Sequence, residues 1–294
     1  VVPISVNYHF TRKCNLACGF CFHVAKTSYI ERPERAKRGL RLLKEAGMRK
    51  INFAGGEPFL YPKFLGPLLR YCKEDLRLES VSIVTNGTKV TEEFLKKYGM
   101  YIDILAVSCD SFNESINREI GRVEPGKEAR NVEQLRRVSE WCRTYGIKFK
   151  LNTVICRLNW QEDMASAVQE LNPFRWKVFQ VLLVESENDA TAKDRKGDFD
   201  KFYITDAQFE TFCQLHKHLK CFVPESNRVM KSSYLILDEY LRFLDKGDGK
   251  ETTSECILDV GVAKALQQVR FDQAAFHDRG AEYDWSRIEG TGPC

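Results

Sequence analysis

No stretch of this 294-residue sequence approaches the length of a membrane-spanning helix, and no signal-peptide pattern opens it. A membrane-spanning segment is therefore not expected. An excess of one charge is missing too: 45 Lys and Arg stand against 41 Asp and Glu, a formal net charge of +4. That balance argues against direct binding of nucleic acid, although it suits a small anionic ligand. There is no internal sequence repeat and no low-complexity linker, so one domain with an accessory C-terminal portion is the simplest organisation. Eight cysteines (Cys72, Cys109, Cys142, Cys156, Cys213, Cys221, Cys256 and Cys294) are scattered singly, without the spacing of a disulfide framework or a zinc site. Most read as buried thiols of a reducing compartment, which points to the cytoplasm. The chain opens Val1-Val2-Pro3 with no methionine, as expected if a natural N-terminal extension, with whatever anchor it carries, has been removed.

The remaining three cysteines are concentrated in Cys14-Asn15-Leu16-Ala17-Cys18-Gly19-Phe20-Cys21. Three thiolates can hold three corners of a four-iron cluster and leave the fourth iron open. Electron-carrying clusters normally have four cysteine ligands, so a missing one points to a reactive centre, much as an open position does in catalytic zinc sites. The competing readings are zinc shared with His23, a disulfide, or ordinary buried thiols. Against zinc stands the lack of a partner pair, and against a disulfide framework stands the length of the chain.

Around that loop the sequence alternates. Residues 4–10 place Ile4, Val6, Tyr8 and Phe10 on one face and Asn7 and His9 on the other, a strand that delivers the chain into the cysteine loop. Helical spacing over 34–46 ends at Gly47, and a strand over 50–54 runs into Gly55-Gly56-Glu57-Pro58. Helices over 63–72, 91–98, 131–145 and 161–171 then alternate with strands over 80–85, 104–109, 148–155 and 175–184. Six repeats with short connections predict an α/β fold of parallel strands with right-handed crossovers. After Glu185 the rhythm breaks into a charged loop over 189–200, a helix over 206–219, a short strand over 234–237 and a polar loop over 247–254. The expected division is a core over 1–185 and an extension over 186–294 that packs on it and completes the site.

The strand faces opposite the apolar stripes carry Asn7 and His9, Lys50 and Asn52, Ser82 and Asn86, Ser108, Lys150 and Asn152, then Arg175 and Lys177. A packed barrel interior holds Val, Ile and Leu there instead. Four inward cations are costly to bury unpaired, and a bound polyanion such as a phosphate ester would offset that cost. The alternative is pairing with core carboxylates or snorkelling to the rim. Gly55-Gly56-Glu57 ends a strand where glycines allow close approach to a ligand and a carboxylate can accept from an ammonium. Tyr234 opens the last short strand, a place where most tyrosines serve packing.

The cysteine spacing, with Phe20 before the last thiol, resembles the signature of radical S-adenosylmethionine (SAM) enzymes. That resemblance implies a [4Fe-4S] cluster on Cys14, Cys18 and Cys21, SAM chelated at the open iron, and a partial (β/α)6 barrel. Asn7-Tyr8-His9-Phe10-Thr11-Arg12, Cys18–His23, Ala25–Ser28, Lys50–Phe53, Arg175–Gln180, Val223–Asn227 and Ser233–Tyr240 further resemble the viperin-like family over nearly the whole chain. Such enzymes dehydrate a nucleoside triphosphate to its 3′-deoxy-3′,4′-didehydro form, an antiviral RNA chain terminator, after a 5′-deoxyadenosyl radical removes the ribose 4′ hydrogen. The resemblance implies that Lys150, Arg175 and Lys177 clamp the triphosphate, that Lys50 and Asn7 contact the nucleotide, and that Gly55, Gly56, Glu57, Ser108 and Asn152 line the SAM side. It gives Tyr234 the role of hydrogen donor and calls for an electron-donor protein. Ala54 stands where animal members have Ser, and the tail from Ser286 to Cys294 diverges, so CTP and UTP both remain candidates. The runners-up are a nucleotide-modifying enzyme like the GTP-cyclising one of molybdenum cofactor synthesis, which has a second cluster, and a non-catalytic nucleotide-binding protein.

Overall fold

The computed structural model describes residues 1–287 apart from 186, 231 and 246–250. Its repeating unit runs β1 (Ser5–His9), α1 (Pro33–Glu45), β2 (Lys50–Ala54), α2 (Pro62–Glu74), β3 (Ser80–Thr85), α3 (Glu92–Tyr98) and β4 (Ile104–Ser108). It continues through α4 (Glu114–Ile120), α5 (Asn131–Thr144), β5 (Lys148–Ile155), α6 (Ala165–Leu171) and β6 (Arg175–Gln180). Beyond that lie α7 (Asp206–His216), β7 (Phe222–Glu225), β8 (Leu235–Leu237), β9 (Arg242–Asp245) and β10 (Thr252–Cys256), with short helices over 227–278.

The strands form one sheet in the order β10-β9-β8-β1-β2-β3-β4-β5-β6-β7. The pairs from β8 through β1 to β7 are all parallel, and β9 and β10 are antiparallel. Side chains alternate along each strand. One set (Val6, Tyr8, Ile51, Phe53, Val81, Ile83, Leu105, Leu151, Trp176 and Val178) is fully buried under the helices, which leaves the polar set facing inward. Helix α1 shows the complementary stripe in Ala36, Leu40 and Leu43, with Pro33 pre-set at its first turn. β7 and β8 are not hydrogen-bonded neighbours, yet Tyr234, just before β8, bonds Lys177 on β6 and Glu225 on β7. The parallel strands therefore curl into an open barrel with a side-chain seam, in agreement with the partial-barrel expectation.

Several boundaries differ from those read in the sequence. β6 stops at Gln180 because Asn188 takes over the chain beyond it, accepting from Val184 N at 2.8 Å and donating to Leu182 O at 2.9 Å. α6 starts at Ala165 because Glu162 is held by Ser111 Oγ at 2.6 Å and Phe112 N at 2.8 Å. The polar loop over 247–254 is corrected at its end, where Thr252–Cys256 pairs with β9; residues 247–250 lie outside the described residues, as do 288–294 of the divergent tail. α4, β7, β9 and β10 are additional. The last segment closes the N-terminal end of the barrel, where Tyr283 meets Lys50, Asp284 meets Lys148 and Trp285 sits under Arg49.

Candidate active site

The cysteine loop follows β1 at the C-terminal end of the barrel strands, where catalytic groups of β/α barrels collect. Its backbone is tied to the end of α4: Ala17 N donates to Gly121 O at 3.0 Å and Gly19 N to Ile120 O at 2.9 Å. Gly121 is required there, since it has φ +92° and any Cβ would lie 2.3 Å from Ala17 O. Lys196 Nζ reaches Leu16 O at 2.5 Å from the extension. Cys14, Cys18 and Cys21 are free, half-buried thiols. Cys14 Sγ accepts from Leu16 N at 3.4 Å and Asn86 Nδ2 at 3.7 Å. Burial pushes the Cys18 thiol up to about 12, opposed by the Arg122 guanidinium. Among the described residues no three His, Cys, Asp or Glu side chains converge on one metal ion, so the loop is not set for mononuclear zinc. The ring of His23, the alternative zinc ligand, instead packs edge-on against His9 at 4.6 Å. Three thiols on one anchored loop suit a cluster whose irons each take a separate ligand.

Gly55 and Gly56 lie against the stem of that loop. Gly56 N donates to Thr11 O at 2.7 Å and Glu57 N to Lys13 O at 2.8 Å. A Cβ would come within 2.2 Å of Thr11 O at Gly55 and 2.1 Å of Lys13 O at Gly56. We expect Gly56→Ala to push the stem aside and lower both melting temperature and iron content after reconstitution. Wild-type iron content would show that this contact does not set the loop. The Glu57 carboxylate is fully buried and takes Phe59 N at 2.9 Å, Thr85 Oγ1 at 2.7 Å and Asn86 N at 2.7 Å. Burial raises it to about 6 against those donors. These bonds lock the turns after β2 and β3. Ser108 and Asn152 share a register across β4 and β5, with Lys177 next on β6. Asn152 Oδ1 is buried without a hydrogen-bond partner, an acceptor suited to a donor from a polar cofactor.

The inward cations lie below. Lys50 Nζ donates to Tyr283 Oη at 3.1 Å. Lys150 is in register with Arg175, whose Nη2 donates to Gly280 O at 3.2 Å and whose guanidinium lies 4.4 Å over the Tyr283 ring. Lys177 Nζ donates to Tyr234 Oη at 2.6 Å and pairs with Glu225. Arg279, from the closing segment, lies 3.9 Å over the Tyr234 ring, 3.4 Å from Glu225 and 3.0 Å from Ser233 O. Asn7 Nδ2 donates to Leu235 O at 3.3 Å and faces the same interior from β1. Burial, then repulsion from Lys177 and other cations, holds Lys50 and Lys150 well below the ordinary lysine range. Burial brings Lys177 down to about 7 despite Glu225. Arg175 Nε and Arg279 Nε are both buried with no acceptor. Buried donors without acceptors are uncommon, and here they belong to adjoining guanidinium groups.

Strand parity in the sequence therefore locates Asn7, Lys50, Lys150, Arg175 and Lys177, and the structure brings them together. It misses Glu225, Arg279 and Arg122. Glu225 lies in a four-residue edge strand and Arg279 in a connecting segment, where no periodicity assigns a face. Arg122, buried and paired with Asp110 near Cys18, carries one signal, its place after the helix-ending Gly121.

Fold and cysteine loop together define a radical SAM protein, and residues 8–168 match the Radical SAM superfamily. Solved structures share the fold: native anSMEcpe with bound AdoMet aligns with a TM-score of 0.67 at 14% identity, over 93% of this chain and 82% of that one. SuiB of Streptococcus suis bound to S-adenosylmethionine aligns at 0.62 and 17% identity, over 82% of this chain and 60% of that one. Closer relatives are named S-adenosylmethionine-dependent nucleotide dehydratases. The Danio rerio protein, RSAD2, is 54% identical over 98% of this chain and 79% of its own length. The Flammeovirga pacifica protein is 33% identical over 97% of both chains. This chain belongs to the S-adenosylmethionine-dependent nucleotide dehydratase family, the viperin-like branch of the superfamily. Its described residues contain no helix long and apolar enough to cross a membrane.

Proposed function

We propose that this chain dehydrates a pyrimidine ribonucleoside triphosphate, CTP or UTP, to its 3′-deoxy-3′,4′-didehydro analogue, an RNA chain terminator with an antiviral role. The observation that carries the reading is the crowd of buried cations with unused donors at Arg175 Nε and Arg279 Nε. A triphosphate supplies the missing acceptors and the opposing charge. Cys14, Cys18 and Cys21 would hold the cluster, and Gly55, Gly56, Ser108 and Asn152 would line the SAM pocket. When bound, cluster and SAM supply the one-electron chemistry that removes a ribose hydrogen.

The chain's own residues do the rest. Lys150, Arg175, Lys177 and Arg279 clamp the phosphates, while Lys50 and Asn7 orient the nucleotide nearer the ribose. The substrate loses its 4′ hydrogen and 3′ hydroxyl; one electron and one proton complete the change, the proton leaving with the hydroxyl as water. Tyr234, hydrogen-bonded to Lys177, would deliver that electron and proton. Residues 186–294 act as an extension that completes the nucleotide site, since Glu225, Tyr234 and Arg279 all come from it. An electron-donor protein would supply the reducing equivalents. The free buried thiols of Cys72, Cys109, Cys142, Cys156 and Cys213 favour a cytoplasmic setting, against the disulfide-bonded Cys221.

A nucleotide deuterated at C4′ tests the reaction. Deuterium should appear in 5′-deoxyadenosine, and 5′-deoxyadenosine free of label alongside dehydrated product would sink 4′ abstraction. The cation set also predicts a pH dependence. Lys177 at about 7 and the depressed Lys50 and Lys150 must be protonated to hold phosphate, so binding takes up protons and affinity falls as pH rises from 6.5 to about 8.5. Calorimetry in buffers of different ionisation heat measures the uptake. Affinity that stays flat or rises over that range would remove these lysines from the clamp.

A further inference from the structure

Glu225 is a carboxylate among the inward cations Lys177, Arg175 and Arg279. It is buried and ends β7 at the seam where β7 and β8 are not hydrogen-bonded neighbours. One oxygen accepts from the Tyr234 hydroxyl, and the other pairs with Lys177 and, at 3.4 Å, with Arg279. The Tyr234 hydroxyl in turn accepts from Lys177 at 2.6 Å, so the phenol is fixed at two points, as donor and as acceptor. The guanidinium of Arg279 lies over the ring at 3.9 Å. By electrostatics alone Glu225 opposes a triphosphate, because it neutralises two cations that would otherwise face the phosphates. A carboxylate that weakens phosphate binding and spans the seam has geometry as its remaining contribution.

We propose that Glu225 is a positioning residue that aims the Tyr234 hydroxyl at the nucleotide, at the expense of nucleotide affinity. The inference rests on the dehydratase reading above. Removing the charge and moving the carboxylate separate its two effects. Glu225→Gln keeps the shape and an acceptor for the phenol but loses the charge and the grip on Lys177. At pH 6, where losing the carboxylate costs Lys177 least of its charge, nucleotide affinity should rise about threefold to tenfold, while the ratio of 5′-deoxyadenosine to dehydrated nucleotide climbs severalfold above wild type. Glu225→Asp keeps the charge but withdraws the carboxylate by one methylene. Its affinity should stay within about twofold of wild type while the ratio rises as in Glu225→Gln.

Binding would be followed calorimetrically with CTP and UTP on reconstituted holoenzyme without reductant, and the ratio by mass spectrometry under reduction. A purely structural role predicts loss of affinity and melting temperature together, with the ratio unchanged. Either that pattern or a wild-type ratio in Glu225→Asp would overturn the proposal. Combining Glu225→Asp with Tyr234→Phe adds a second check: the ratio of the double variant should match Tyr234→Phe alone, and additive effects would also overturn it. If wild-type protein makes no dehydrated nucleotide, the dehydratase reading has failed instead; the affinity changes then still read the charge effect.

Discussion

Cys18→Ala is expected to abolish SAM cleavage while leaving a folded protein. Two thiols cannot hold a cluster that relies on three. The loop itself should survive, because its backbone is fastened by Ala17 and Gly19 to the end of α4 and by Lys196 to Leu16. Melting of the anaerobic apoprotein should therefore stay close to wild type, within ~2–4 °C for a change of about 1 kcal/mol. Iron and sulfide content and visible absorbance should fall to background, and 5′-deoxyadenosine should vanish. Turnover retained in this variant would remove Cys18 from the cluster.

Lys150→Met separates binding from stability. Lys150 shares its space with Lys50, Lys177 and Arg175, which depress it after burial itself. Among the described residues it forms no ion pair, so burying it costs the resting protein either its proton or repulsion from the neighbouring cations. Methionine keeps most of the volume and removes the charge, and the melting temperature should rise. A charge-assisted hydrogen bond contributes ~1.5–3 kcal/mol, so triphosphate affinity should fall by roughly tenfold to a hundredfold. SAM binding should hardly change, since Lys150 sits one interior position below Asn152 on β5. Affinity unchanged alongside a higher melting temperature would mean that the cations serve something other than phosphate.

Tyr234→Phe probes the step after binding. The ring would still stack under Arg279, but the hydroxyl between Lys177 and Glu225 would be gone. SAM cleavage should continue while product per 5′-deoxyadenosine drops; a normal product yield would dispose of the donor role.

The sequence exposes the parts of this site that obey local rules. The cysteine spacing needs no tertiary information, and strand alternation places Lys50, Lys150, Arg175 and Lys177 inside because a period of two is rigid over five or more residues. The parallel core was legible for the same reason. After Gln180 only the helix from Asp206 and the short strand at Leu235–Leu237 were. β7, β9 and β10 are short and exist because a sheet edge was available to pair with, so their sequences show little of the strand pattern. Glu225 and Arg279 meet only once those edges and the closing segment are in place, 54 residues apart in the chain. The partners of Glu57 were hidden for a different reason. Its own turn supplies one backbone donor, Phe59 N, and the turn at the end of β3 supplies Asn86 N and the Thr85 hydroxyl.

The most direct test incubates anaerobically reconstituted protein with SAM, dithionite and CTP, UTP, GTP or ATP in separate reactions. Mass spectrometry then follows 5′-deoxyadenosine and a nucleotide lighter by one water. Strong conversion of CTP or UTP, with 5′-deoxyadenosine in step, is the predicted result. 5′-deoxyadenosine without any dehydrated nucleotide, or conversion confined to purines, would contradict it.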